Sequence, residues 1–221
     1  MYRNVIFDLD GTLLDFHAGE REGVRQILLA HGITDVEGGL RRYQQINQRV
    51  WAQIEAGHPR TPLFNHRFAT LLATYGQHVN GTRLQAKYAA TLAQNYRVIP
   101  GSHYLLGQLR QRGVRLFVGS NGEEAVQVQR LTGAGLLDSF ANVFTSEALG
   151  AAKPAPEFFT HLLAQLPADA QSSIVMVGDS RQADIVGARQ VGIDSIWYHP
   201  QDKTQPGGID DYRQLLKMLI N

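Results

Sequence analysis

The sequence contains no cysteine among its 221 residues. Disulfide bonds and thiolate metal sites are therefore excluded. The net charge is only +1, which argues against a protein that binds nucleic acid polymers or membrane surfaces through bulk charge. No apolar run approaches the roughly 20 residues of a membrane-spanning helix, and the first residues show no signal-peptide pattern. These absences predict a cytoplasmic protein with neither a membrane nor a nucleic acid polymer as its partner.

Several motifs of cofactor sites are also missing. The sequence has no Gly-Lys-Ser/Thr phosphate loop, so ATP binding is not indicated. The run Gly133-Ala134-Gly135 lacks the third glycine of a dinucleotide fingerprint and does not follow a strand pattern. The eight histidines are scattered without the spacing of metal ligands. The chemistry of this chain must therefore come from other residues.

Two aspartates follow directly on an apolar strand near the start of the chain. The strand is predicted over residues 3–8, and Gly11 ends it just after Asp8 and Asp10. Both carboxylates should therefore project from the carboxyl end of the strand, where open parallel sheets bind ligands. Two crowded carboxylates repel each other, and a divalent cation with a phosphate would explain the pair.

The rest of the chain predicts an α/β protein. Apolar strands alternate with helices after residue 100, which implies a doubly wound parallel sheet. The strands are predicted at 114–118, 143–144, 174–177 and 195–198, and the helices at 102–112, 123–132, 156–165, 181–191 and 210–220. Residues 1–16 and 97–221 are the predicted catalytic core. Residues 17–96 form a predicted helical domain inserted after the first strand, with helices at 20–31, 37–56, 63–76 and 82–95.

Charge divides along the same boundary. Residues 17–96 hold nine basic and five acidic residues, a net charge of +4, and the remainder holds twelve and fifteen, a net charge of −3. A basic insert over an acidic core suits an anionic ligand that is bound through a cation. An uneven scatter of surface charges explains the same numbers equally well.

Three further strand ends carry polar residues. Ser120 and Asn121 follow the second strand, where they offer a hydroxyl and a turn of backbone N–H groups to an anion, or act as ordinary helix caps. Lys153 precedes Pro154 at an extended corner, either to neutralise an anion or as a solvated lysine. Asp179 and Asp184 follow the fourth strand, as metal ligands or as residues that favour a helix N-terminus. We expect the carboxylates to meet at one sheet edge.

The set as a whole has a chemical interpretation. Oxygen ligands without cysteine or clustered histidine indicate Mg²⁺. Asp8 would attack phosphorus to give an aspartyl-phosphate, and Asp10 would act as the general acid and base. Lys153 and the metal would offset the charge of the transferring group, while Ser120 holds its oxygens.

The four motifs resemble those of the haloacid dehalogenase-like hydrolases. They are Asp8-Leu9-Asp10-Gly11-Thr12, Ser120-Asn121-Gly122, Lys153-Pro154, and Gly178-Asp179-Ser180 with Asp184, in the family's order. The resemblance implies a Rossmann-like core with a small helical cap. It implies Mg²⁺ held by the Asp8 carboxylate, the Asp10 backbone carbonyl and Asp179, with Asp184 as a more distant ligand. Thr12, Ser120, Asn121 and Lys153 would serve the phosphate and the nucleophile.

The activity expected within the family is phosphate ester hydrolysis, because the family's dehalogenases lack an acid at the position of Asp10. Tyr43, Asn47, Trp51 and Arg67 lie in segments similar to the cap of bacterial pyrimidine 5′-nucleotidases. We expect their rings to stack on a base and their amides to bind its edge. The alternative is that these rings form the core of the helical domain. We predict a nucleoside 5′-monophosphate phosphatase that acts as a monomer or weak homodimer. Phosphoglycolate or sugar-phosphate phosphatases, phosphomutases and phosphoryl-switched signalling domains remain alternatives.

Overall fold

A computed structural model describes residues 2–199 and 207–220 of the chain. The chain divides into two compact units. The unit that we name the sheet unit comprises Met1–Phe16 and Tyr96–Asn221, and the helical unit comprises His17–Asn95.

The helical unit is built from four helices with an apolar interior. They are α1 (Phe16–Ala30), α2 (Val36–Glu55), α3 (Arg60–Ala73) and α4 (Gly81–Ala93). Short polar residues cap two of them, because Asp35 accepts from the Gly38 N–H at 2.9 Å and Asn80 from the Arg83 N–H at 3.0 Å. The helices predicted for this region are present, although α1 and α3 begin earlier than predicted.

The sheet unit contains a parallel sheet of five strands. They are β1 (Asn4–Phe7), β2 (Arg115–Ser120), β3 (Asn142–Thr145), β4 (Ile174–Gly178) and β5 (Asp194–Trp197), in the order β3-β2-β1-β4-β5. Phe7 at the end of β1 is in register with Val118 of β2 and Val177 of β4. The first strand of the chain therefore lies in the middle of the sheet, so its carboxyl end is flanked by two other strand ends.

Both faces of the sheet are covered, as the alternation of side chains along β1 requires. The helices are α5 (Ser102–Gln111), α6 (Glu124–Gly133), α7 (Ser146–Leu149), α8 (Pro156–Ala164), α9 (Gly187–Gln190) and α10 (Tyr212–Ile220). Val5 and Phe7 belong to one apolar cluster with residues of α5 and α10, whereas Ile6 belongs to a second cluster with Phe158 and Phe159 of α8. The doubly wound α/β fold predicted from the sequence is confirmed.

One predicted helix differs from the structure. A continuous helix was expected over 181–191, but Arg181–Val186 forms a π-helical turn, and α9 follows it. A π-turn holds one more residue than an α-turn, and such turns are frequent at functional sites. Among the described residues, no helix is both long and apolar enough to cross a membrane.

Candidate active site

The strand ends bring the predicted acidic residues to one edge of the sheet. Asp8 follows β1, Ser120 ends β2 and Asp179 follows β4. Because the three strands are adjacent and parallel, their carboxyl ends lie side by side. The Asp8 N–H donates to the Val177 carbonyl at 2.9 Å, so the ladder with β4 extends to the aspartate itself.

A tight turn after Asp8 leaves room for Asp179. Gly11 has a φ of 88°, which side chains rarely adopt, and a Cβ built at Gly11 would clash with the Asp179 carboxylate. The Leu9 carbonyl closes the turn by accepting from the N–H groups of Leu13 at 2.9 Å and Leu14 at 2.8 Å. The glycine of the first motif is therefore required both by its backbone conformation and by the approach of the second acidic segment.

The π-turn directs Asp184 back towards the strand ends. The Ser180 side chain accepts from the Ala183 N–H at 3.1 Å, and the Asp184 Oδ2 atom accepts from the Ser180 N–H at 3.0 Å. A Cβ at Gly178 would clash with the Asp184 carboxylate, so that carboxylate packs directly on the end of β4. Asp184 is only 1% exposed.

Three carboxylates converge at this edge. Asp8, Asp179 and Asp184 each place one oxygen within 4.8 Å of the others. Asp8 is far in the sequence from Asp179 and Asp184, and the pairing of β1 with β4 brings the three carboxylates together. Their oxygens are the hard ligands that Mg²⁺ prefers.

Lys153 lies among these carboxylates. Its Nζ atom donates to Asp8 Oδ1 at 2.7 Å, to Asp184 Oδ1 at 2.5 Å and to the Gly119 carbonyl at 2.7 Å. These three bonds use all the hydrogens of the ammonium group. Burial alone would lower the pKa of Lys153, but Asp184 and Asp8 outweigh burial, so its pKa lies above the ordinary value. Lys153 is therefore charged and held in place.

Burial and mutual repulsion raise the pKa values of two carboxylates in the cluster. Burial is the main cause that raises the pKa of Asp8 to about 7; Lys153 lowers this pKa, while Asp184 and Asp10 raise it. Burial, followed by Asp8 and Asp184, also raises the pKa of Asp179. Salt bridges join Lys153 to Asp8 and Asp184, and Arg130 to Asp10. A divalent cation would offset the cost of ionising these buried carboxylates, and their oxygens are ligands that Mg²⁺ prefers, so the residues present fit this metal.

Asp10 lies on the other side of the cluster, against α6. The Arg130 Nη1 atom forms an ion pair with Asp10 Oδ1 at 2.7 Å, and Gln127 Nε2 donates to Asp10 Oδ2 at 3.1 Å. Neither partner is predicted from the sequence. Their spacing of three residues places them on one face of α6, but polar pairs at this spacing are equally common on solvated faces, so the sequence carried no specific signal.

The predicted phosphate-binding residues divide into two groups. The Ser120 hydroxyl accepts from Gly122 N at 3.1 Å and Gln127 Nε2 at 2.9 Å. Asn121, in contrast, accepts from Lys153 N and donates to the Lys153 carbonyl, both at 2.8 Å. Asn121 therefore holds the Lys153 backbone, and its part in phosphate binding stays a prediction.

Thr12 is fully buried, and its carbonyl accepts from the Tyr212 hydroxyl at 2.5 Å. Its hydroxyl has no hydrogen-bond partner among the described residues, so the role at the phosphate and the nucleophile stays a prediction. Thr12 and Tyr212 anchor the turn that carries Asp8 and Asp10.

Trp197 is a further residue of the site that is not predicted from the sequence. Its indole Nε1 donates to the Asp179 carbonyl at 2.7 Å. The indole holds the Asp179 backbone from β5, the neighbour of β4. A tryptophan near the end of a strand is too common for this role to be read from sequence.

The four residues predicted to set specificity lie in the helical unit. Tyr43 is 1% exposed, and its ring stacks on Phe68 with centroids 5.6 Å apart. This ring belongs to the interior of the unit and offers no face to a ligand, so we reassign Tyr43 to packing. Trp51 is half-buried and packs edge-on against Phe64 at 5.5 Å.

Asn47 and Arg67 belong to a polar network inside the helical unit. Arg67 Nη1 donates to Asn47 Oδ1 at 2.9 Å, and Arg67 Nε donates to Gln85 Oε1 at 2.9 Å. Asn47 Nδ2 in turn donates to Glu20 Oε1 at 3.1 Å, which also accepts from the Tyr43 hydroxyl at 3.0 Å. Hydrogen bonds therefore join Glu20 to Arg67 through Asn47.

The comparison with protein families decides the identity of the fold. The family model for haloacid dehalogenase-like hydrolases matches residues 2–192. The chain belongs to this family. The resemblance that its four motifs suggested is thereby confirmed, and the sheet edge described above is the edge where those motifs meet.

Similar members of the haloacid dehalogenase-like family include two curated nucleotidases. The pyrimidine 5′-nucleotidase PynA of Streptococcus pneumoniae is 36% identical over 200 residues, which cover 90% of this chain and 84% of PynA. The pyrimidine 5′-nucleotidase YjjG of Escherichia coli is 28% identical over 93% of this chain and 89% of its own length. Both are phosphoric monoester hydrolases by name, and this chain is an enzyme of the same hydrolase family.

A solved structure resembles this chain along its whole length. YfnB of Bacillus subtilis, solved bound to magnesium, is 31% identical with a TM-score of 0.91, and the match covers 100% of this chain and 99% of YfnB.

Proposed function

We propose that this chain is a Mg²⁺-dependent phosphatase that hydrolyses small phosphomonoesters through an aspartyl-phosphate on Asp8, and that nucleoside 5′-monophosphates are its substrates. The observation that carries the proposal is the convergence of Asp8, Asp179 and Asp184 within 4.8 Å around Lys153. The nucleotidases among its relatives and the magnesium-bound structure of YfnB support it.

Asp8 is the proposed nucleophile. One carboxylate oxygen forms the bond to phosphorus while the bond from phosphorus to the leaving oxygen breaks. Lys153 holds Asp8 Oδ1 at 2.7 Å, so the carboxylate keeps one orientation before the substrate arrives. Water then attacks phosphorus, the bond to Asp8 breaks and inorganic phosphate leaves.

Asp10 is the proposed acid and base. It gives a proton to the leaving alkoxide in the first step and takes one from the attacking water in the second, so protons balance over the cycle. An alkoxide needs this proton and a halide does not, which favours phosphate esters over haloacids. The Asp10 side chain is 30% exposed, so substrate has access to it.

Ser120 has a free hydrogen for a phosphoryl oxygen. A hydroxyl has two acceptor positions and one hydrogen. Gly122 N and Gln127 Nε2 fill the acceptor positions, so the hydrogen is left to bind the substrate.

The proposed metal ligands are the Asp8 and Asp179 carboxylates and the Asp10 backbone carbonyl, with Asp184 beyond them. When bound, Mg²⁺ offsets the negative charge of the carboxylates and of the transferring phosphoryl group.

We further propose that Trp51 of the helical unit contributes to substrate choice, because its half-buried indole provides a stacking surface for a base. The names of PynA and YjjG favour a pyrimidine nucleotide. Asn47 and Arg67 contribute indirectly in this proposal, because the hydrogen bond between them joins α2 to α3.

The test is a phosphate-release screen of the purified protein with Mg²⁺. The panel holds pyrimidine and purine nucleoside 5′-monophosphates, hexose phosphates and phosphoglycolate. Highest kcat/KM on uridine or thymidine monophosphate, with loss on chelation, supports the proposal. Best turnover of a sugar phosphate or phosphoglycolate would replace the substrate assignment, and activity that survives chelation would refute the metal assignment.

A further inference from the structure

We propose that Arg130 and Gln127 of α6 are positioning residues that hold the Asp10 carboxylate for proton transfer. This inference rests on the proposed function, because it assigns the acid and base role to Asp10. The ion pair from Arg130 Nη1 reaches Asp10 Oδ1 at 2.7 Å, and Gln127 Nε2 reaches Oδ2 at 3.1 Å. The two carboxylate oxygens are thus held from one helix by different side chains.

The two positioning residues also brace each other. Arg130 Nη1 donates to Gln127 Oε1 at 3.0 Å, and the exposures of the two residues are 3% and 2%. A buried guanidinium requires a compensating charge, and Asp10 is the acidic side chain paired with Arg130 among the described residues. Because burial and their mutual hydrogen bond restrict the rotamers of Arg130 and Gln127, the Asp10 carboxylate is held in one orientation.

Gln127 is fitted closely to the loop that follows β2. A Cβ built at Gly122 would clash with the Gln127 amide. The amide uses its two hydrogens on Asp10 Oδ2 and the Ser120 hydroxyl, and its oxygen accepts from Arg130. Its hydrogen-bonding capacity is therefore largely spent on residues of the site, which ties the proton donor to the group that binds phosphate.

Positioning of Asp10 has a specific kinetic consequence. A general acid contributes only when its carboxyl group is oriented towards the leaving oxygen. Its contribution is large for a poor leaving group and small for a good one, because a good leaving group departs without a proton. Loss of Arg130 should therefore lower kcat/KM mainly for substrates with poor leaving groups, whereas damage to the fold would lower kcat/KM for all substrates alike.

The experiment compares kcat/KM for phenyl phosphate and p-nitrophenyl phosphate, which are similar in shape but differ in leaving group. In Arg130→Met we expect kcat/KM to fall by about 30-fold on phenyl phosphate and by no more than about threefold on p-nitrophenyl phosphate. In Gln127→Met we expect kcat/KM to fall on both substrates, because the Ser120 hydroxyl also loses its bond from the Gln127 amide. The loss should be larger on phenyl phosphate. Arg112→Met, the same change at an exposed arginine of the sheet unit, should retain both activities.

Two further variants secure the interpretation. Arg130→Lys keeps the positive charge but loses the planar guanidinium group. We expect a smaller fall in kcat/KM than in Arg130→Met, again larger on phenyl phosphate than on p-nitrophenyl phosphate. This variant replaces Arg130→Met if that protein does not fold. In an Asp10→Asn background, Arg130→Met should add no further selectivity, because it acts through Asp10. Equal losses on both substrates, no loss, or a selective loss that persists without Asp10 would overturn the inference. A wild-type protein that releases phosphate neither from these two substrates nor from any member of the screening panel would instead refute the proposed function, and with it the role given to Asp10.

Discussion

The two units of the molecule bury charged groups in different ways. In the helical unit, hydrogen bonds through Asn47 join one carboxylate, Glu20, to one guanidinium, Arg67. In the sheet unit, Lys153 bridges two of three clustered carboxylates, and Asp179 stands beside them with a raised pKa that burial mainly causes. In the helical unit the negative charge of Glu20 is balanced by Arg67 of the same network. In the sheet unit the clustered carboxylates outnumber the lysine, and a cation can offset their repulsion.

This difference separates a structural network from a site. Buried polar groups that satisfy one another specify and hold a core. Buried like charges cost free energy until a ligand compensates them, and such costs are typical of functional sites. Substitutions that act on charge and on packing separately should therefore have different effects in the two units.

The largest effect is expected from Asp8→Asn. The amide is similar in shape but is not a nucleophile, so kcat should fall by about 10⁴-fold or more. Phosphate release under saturating substrate measures it. Asp169→Asn, at an exposed aspartate, is the matched control and should keep full activity. Appreciable Mg²⁺-dependent turnover in Asp8→Asn would contradict the nucleophile assignment.

The next largest effect is expected from Lys153→Met, on the free energy of unfolding. The side chain is 2% exposed and is bonded to two carboxylates, so its loss leaves buried charges unpaired and should lower the free energy of unfolding by about 3–5 kcal/mol. Urea denaturation without Mg²⁺ measures this. A stability equal to that of the wild type would show that the carboxylates do not need the lysine.

Arg67→Met tests the network of the helical unit. Asn47 and Gln85, which are both half-buried, would each lose a donor, and we expect a loss of about 1–2 kcal/mol in the free energy of unfolding. The stabilisation that Mg²⁺ adds should be the same as in the wild type. A raised KM with unchanged stability would instead show that Arg67 contacts substrate rather than supporting the fold.

Asp179→Asn should act on the metal more than on the fold. Removing one of three clustered carboxylates relieves repulsion, so the apo melting temperature should not fall. Mg²⁺ affinity, measured from the rise in melting temperature with metal, should drop by about tenfold or more. Unaltered Mg²⁺ affinity would remove Asp179 from the ligand set.

The smallest effect is expected from Asp169→Asn. Asp169 pairs with Arg115 at 2.9 Å, but its side chain is 74% exposed. Solvent screening limits such pairs to about 0–1 kcal/mol. Thermal unfolding at low and high salt measures the change, and a loss comparable to that of Lys153→Met would contradict the distinction between buried and exposed pairs.

The motifs could be predicted because each depends on local sequence. Apolar runs that end in Asp8, Ser120 and Asp179 identify strands and their carboxyl ends, and parallel pairing places those ends at one edge. The same logic could not find Gln127 or Arg130, because their role depends on which face of α6 meets the loop after Asp8. It also placed Tyr43 at a ligand, since a buried ring and a stacking ring have the same sequence signature.

The amino-acid sequence by itself determined the fold class, the acidic strand ends and the family, because hydrophobic periodicity and short motifs are properties of neighbouring residues. Only the tertiary structure decided which polar groups are partners: Asn121 with the backbone of Lys153, Asp10 with α6, and Asp184 through a π-turn in place of a regular helix. Such partnerships depend on side-chain directions across elements distant in the chain, and local propensity carries no information about them.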